Sequence, residues 1–99
     1  MQPRAINQII KTEKLFGAIP ANFGLLVDLD MERVYNHFML VNETDQPIMV
    51  EFTNSAITSE IIVGSDAALT LDDFSHNGVV NYKYESAAPI AGSIKHFTW

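Results

Sequence analysis

Residues 48–53 read Ile48-Met49-Val50-Glu51-Phe52-Thr53, and residues 79–84 read Val79-Val80-Asn81-Tyr82-Lys83-Tyr84. In the first stretch Ile48, Val50 and Phe52 share one face, and Met49, Glu51 and Thr53 share the other. In the second, Val80, Tyr82 and Tyr84 oppose Val79, Asn81 and Lys83. A period of two is the signature of a β-strand with one face in a core.

Similar segments recur on both sides, separated by turn chemistry. Strands are expected near Gly24–Asp28, Arg33–Asn42, Ser59–Val63, Ala67–Leu71 and Ser93–Thr98. Val34–Val41 is apolar on both faces apart from Asn36 and His37, which suits a strand covered on both sides. Residues 42–47, Asn-Glu-Thr-Asp-Gln-Pro, carry turn formers and a proline that stops the ladder. Asn54-Ser55 is read as the next turn. Asn77-Gly78 is read as a hairpin tip, because a type I′ turn needs positive φ at both central residues. About seven to eight short strands predict an all-β chain, a small antiparallel β-sandwich or barrel over residues 24–99. Val50, Phe52, Ile62, Leu69, Leu71, Val80 and Tyr82 are expected to be mostly buried.

Residues 1–23 are expected to form an N-terminal arm. Ile6, Ile9, Ile10, Leu15 and Phe16 make one apolar stripe of helical spacing, although an extended arm or a further strand of the domain fits as well. Gly17, Pro20 and Gly24 then set the arm apart from the body. Arg4, Lys11 and Lys14 face only Glu13 in residues 1–26, whereas residues 27–99 hold three basic side chains against eleven acids. An arm of one sign on a body of the other suits a subunit that reaches onto a neighbour. Its expected contact residues are Arg4, Ile6, Ile9, Ile10, Lys11, Lys14, Leu15 and Phe16. Trp99 joins them, since a tryptophan at a chain end needs something to dock it.

Composition narrows the function. The 99 residues suit one domain, and the net charge of −6 disfavours nucleic acid as the main partner. There is no cysteine, so disulfides and thiolate metal sites are excluded. No apolar run approaches the ~20 residues of a membrane helix, so no membrane partner is expected. The start of the chain lacks a signal-peptide pattern, and a cytoplasmic site of synthesis and assembly is expected.

The candidate chemistry is thin. Asp28, Asp30 and Glu32 would line up three carboxylates on an extended chain, as a hard cation requires, but a solvated turn explains them better. Asp72 and Asp73 near His76 could do acid–base work, yet no nucleophile accompanies them and an acidic turn is the simpler reading. His37, His76 and His96 lack metal-site spacing; each is read as a packed or surface histidine, with a core place between Val34 and Val41 open to His37. Phe74, Tyr82, Tyr84, Phe97 and Trp99 could form a platform for sugar or protein, with core packing the plainer account of all but Trp99. No catalytic residue, cofactor or metal is expected.

Three blocks carry a resemblance. They are Leu40-Val41-Asn42-Glu43-Thr44-Asp45-Gln46-Pro47-Ile48-Met49-Val50-Glu51-Phe52, then Leu71–Gly78 with Tyr82-Lys83-Tyr84, then Ala88-Pro89-Ile90-Ala91-Gly92-Ser93-Ile94. Their order, over about residues 38–98, resembles small β-sandwich virion proteins of tailed bacteriophages. The sequence departs from that pattern at Asn54-Ser55, where a glycine is expected. The resemblance implies a non-enzymatic structural protein of the virion, a capsid decoration or cement subunit, or else a small tail or head–tail connector piece. It implies partners among copies of the chain and other virion proteins such as the major capsid protein. A carbohydrate- or receptor-binding module is the alternative from a different class.

Overall fold

The structure is a computed structural model and describes residues 9–99. Eight strands run through the described residues: β1 Ile10–Leu15, β2 Gly24–Leu29, β3 Phe38–Asn42, β4 Ile48–Ser55, β5 Ile61–Val63, β6 Ala67–Leu71, β7 His76–Tyr84 and β8 Ser93–Thr98. They form two four-stranded antiparallel sheets, ordered β1-β8-β3-β6 and β2-β7-β4-β5. First strand pairs with last, second with seventh, third with sixth and fourth with fifth. That is a long hairpin rolled up on itself, the winding of the eight-stranded jelly roll. The all-β sandwich expected from the alternation is therefore the observed fold.

The alternation explains which faces meet. Ile48 and Val50 of β4 and Val80 and Tyr82 of β7 point inward from one sheet, and Phe38, Leu40 and Ile94 from the other; all are buried. Phe52, Leu69 and Leu71 pack partly buried against this core. Ile62 does not, contrary to expectation. Its neighbours Ile61 and Val63 turn inward beside Val50 and Ile48, so period two leaves Ile62 on the outer face, 56% exposed.

Asn77-Gly78 is not a hairpin tip. It lies inside β7, where the pairing with β4 steps from Phe52↔Val80 to Asn54↔Asn77. Three residues of β7 span two of β4, a β-bulge, and Gly78 takes φ 68° to make it. Asn54 and Ser55 accordingly continue β4 instead of turning. The expected strand over 33–42 begins only at Phe38. Before it, Asp30 accepts a hydrogen bond from the Glu32 N–H and its carbonyl accepts one from Arg33 N–H, which closes a turn.

The arm expected over residues 1–23 is corrected for the part described. Residues 10–15 form β1, an edge strand of the domain's own sheet paired along its length with β8. Beyond it, a short 3₁₀ turn covers Phe16–Ala18, and Ile19 is buried in the core. The Tyr82 hydroxyl donates to the Ala18 carbonyl, and Tyr84 N–H to that of Pro20. This segment is docked, and Gly17 and Pro20 shape a sheet-to-sheet crossing. Arg4 and Ile6 lie outside the described residues.

One end of the sandwich is locked by Asn42. Its fully buried amide donates to the carbonyls of Gln46, Val63 and Gly64, and its carbonyl oxygen accepts from the Thr44 N–H and hydroxyl. The Asp45 carboxylate accepts from the Ile90 and Ala91 N–H groups, which holds its pKa down, the Ile90 bond first. Gly92, at φ 88°, lies so close to Glu43 that a Cβ there would meet its carbonyl oxygen. The turn at 42–47 and the loop at 88–94 thus fold onto each other. Asn42→Ala removes a buried amide shared among three carbonyls; the Gln46 carbonyl keeps the Thr44 hydroxyl and that of Gly64 the Ala67 N–H, so the loss should be about 1–3 kcal/mol, read as a shifted urea midpoint with unchanged slope.

Candidate functional site

At the opposite end, β8 overruns its last strand residue. Trp99 is not frayed: its N–H donates to the His37 carbonyl, and its own carbonyl accepts from Asn36 and His37 N–H. This pairing lays the indole on the His37 imidazole, with centroids 4.9 Å apart and planes 13° from parallel. His37 Nδ1 lies 3.0 Å from the Asp72 carboxylate. Both His37 and Asp72 reach solvent. The result is an open aromatic plane with a carboxylate beside it, built from the entry to β3, the exit of β6 and the chain's last residue.

Of the places open to His37, the structure shows the surface one; the core histidines are His76 and His96. Asp72 meets His37, 35 positions away, and not His76. His76 instead bonds through Nδ1 to the Phe74 carbonyl at 2.8 Å. A carbonyl only accepts, so Nδ1 carries the proton, and the buried Nε2 has no partner. The ring stacks on Phe74 and touches Phe38 and Phe52 edge-on. Beside it a shallow hollow of about 270 Å³ is bordered by Val34, Ser55, Ser75 and Asn77 among others.

Asp28, Asp30 and Glu32 do not share a face, because the chain turns after Leu29. Among the described residues no group of three or more His, Cys, Asp or Glu side chains could hold a metal ion. Phe74 and Tyr82 are buried, Tyr84 packs on the core, and Phe97 lies half-buried on the outer face of its sheet. No helix among the described residues is long and apolar enough to cross a membrane.

The contact residues expected in the arm mostly lie on or beside β1. Leu15 is 67% exposed, Ile9 52% and Phe16 40%. Lys11 is exposed, Lys14 half-buried, and Ile10 packs partly against the core. Residue alternation sends Ile10, Thr12 and Lys14 under the sheet and Lys11, Glu13 and Leu15 outward. The sequence missed Ile90, the most exposed large apolar side chain among the described residues, at the tip of the loop that Asp45 holds. Its signal was an apolar residue directly after a proline in a loop.

Compared with protein-family models, with curated proteins and with solved structures, the chain matches none.

Proposed function

We propose that this chain is a non-enzymatic structural protein of a tailed-phage particle, a capsid decoration or cement subunit that works by covering surface between neighbours. The observation that carries the reading is the placement of Ile9, Leu15, Phe16 and Ile90, large apolar side chains left open to water on and around an edge strand. Full burial of such a side chain is worth about 1.5–3 kcal/mol, and covering the exposed part of each gains a share of that, so the surface favours a partner. Two further points support it. The jelly roll is a framework used by viral capsid domains, which is an analogy of fold alone. The segments 42–47 and 88–94, which carry much of the resemblance to virion proteins, also form one interlocked end. Tail or connector use would draw on the same surface.

The test is co-sedimentation of purified chain with phage particles that lack it, and mass spectrometry of particles that should contain it. Binding that is saturable and lost in Leu15→Glu would support the reading. A chain absent from every particle fraction sinks it.

The carbohydrate or receptor reading has one specific observation behind it, the Trp99–His37 plane beside Asp72. A flat ring with an adjacent acceptor can stack on a sugar's apolar face and bond its hydroxyls. Trp99 is the one tryptophan in the chain, so its fluorescence reports that site directly. A saturable change on glycan titration that disappears in His37→Ala would favour this reading; an unchanged spectrum removes it.

A further inference from the structure

We propose that the partner of β1 is β1 of a second copy, paired antiparallel about a two-fold axis at Thr12. It deepens the assembly reading by naming the first partner.

Among the described residues β1 has a neighbour on one side only. Strand geometry fixes what its free side offers. Phe16 N–H bonds to the Gly92 carbonyl of the segment leading into β8. Backbone groups alternate along a strand, so Thr12 and Lys14 also turn toward β8, and Lys11, Glu13 and Leu15 turn their N–H and C=O groups to the open edge. Their side chains lie on the outer face, opposite Phe97, Lys95 and Ser93.

A second copy can add to this edge in few registers. A one-residue slip would set outer side chains against inner ones. An axis at residue 11 puts Lys11 against Lys11, and an axis at residue 13 puts Glu13 against Glu13; like charges directly opposite oppose pairing. An axis at Thr12 sets Lys11 against Glu13 of the other copy twice, Ile9 against Leu15 twice, and Thr12 against Thr12. The odd-numbered pairs exchange the free backbone hydrogen bonds, and the two threonines meet at the close, non-bonded position. Across the joined sheet, Lys95, Glu13 and the second copy's Lys11 then alternate in sign.

The other edges are less suited. β5 has three residues, and β2 carries a register shift between Leu25 and Val27; both features blunt an edge. β6 is bracketed by Asp66, Asp72 and Asp73, which repel a copy of themselves. A lysine on an edge strand ordinarily deters pairing, but Glu13 two residues on gives Lys11 a partner in one register.

Sedimentation of the full chain over a concentration series tests this, with Lys11→Glu, Glu13→Lys and the double variant. Wild type should form a closed dimer. Each single variant makes two like-charged pairs and should weaken it roughly tenfold or more. Mixing the two single variants should restore a mixed dimer, and the double variant should restore its own. A wild-type chain that stays monomeric to millimolar concentration overturns the proposal, as does a mixture no stronger than its parts or an open-ended series of oligomers. Should Glu13→Lys fold poorly beside Lys95, Glu13→Pro removes the outward N–H together with the carboxylate, leaves the backbone bonds to β8 in place, and should abolish the dimer. A monomer that still binds particles overturns the pairing and leaves the assembly reading intact; a dimer that binds none upholds the pairing and counts against that reading.

Discussion

Phe38→Ala is expected to lower stability by about 3–5 kcal/mol, the cost of losing a packed phenylalanine ring. Phe38 is fully buried in β3. It meets the edge of Phe52 at 4.8 Å, and the rings of His96 at 5.0 Å and His76 at 5.8 Å. Phe52 and His76 belong to one sheet and His96 to the other, so this ring fills the space where the sheets meet. Backbone pairing to β6 and β8 on both flanks prevents β3 from collapsing into the cavity. Urea titration should show an earlier midpoint at unchanged slope. Phe52→Ala, at a half-buried site, should cost less. A Phe38→Ala loss below about 1 kcal/mol would mean that the sheets close over the gap and that their spacing is soft.

Most strands were legible because alternation and burial agree in them. Ala67–Leu71 and Ser93–Thr98 are observed with the expected bounds. The failures have physical reasons. β1 was hidden because its inward side holds Ile10, Thr12 and Lys14: at a sheet edge a lysine stem can lie under the fold while its amine reaches water, so no apolar alternation marks the strand. Ile9 and Ile10 instead completed a helical stripe with Ile6. Asn77-Gly78 has the residues of a turn, but a bulge needs the same positive φ at glycine, and local sequence does not distinguish them. Trp99 reads as an end that needs docking, and the chain's own His37 docks it. The His37–Asp72 contact spans 35 positions, which no local spacing reveals. His76 and His96 fall at inward positions of their strands, but period two speaks for polarity only statistically, and a buried imidazole breaks the pattern.

Acid should begin to destabilise this protein at about pH 6.5, before its carboxylates titrate. His96 is fully buried between Phe38 and the β1 edge, where its two nitrogens meet the hydroxyls of Thr12 and Thr98. Hydroxyls donate or accept, so the neutral ring is satisfied in either tautomer. Burial, with a smaller push from His76, lowers its pKa to about 4. Burial also lowers His76, more than its Phe74 bond raises it. In the unfolded chain both return to about 6.5. Between pH 6.5 and 4 the unfolded chain therefore binds more protons than the folded one, so stability falls as pH drops through that window. Above about 6.5 the histidine contribution is fully present, and below about 4 the loss from His96 levels off. Its full size is on the order of 3 kcal/mol, and His76 adds to it in the same direction. The two rings flank Phe38, so the second proton enters a core already carrying one charge, and unfolding should be steep. Melting temperature measured from pH 7 to pH 4.5 should drop continuously. His96→Gln should be less stable at pH 7 yet show a shallower fall. A wild-type profile flat to pH 4.5 would mean that water reaches both rings in the folded state and that the sandwich is open at its Trp99 end.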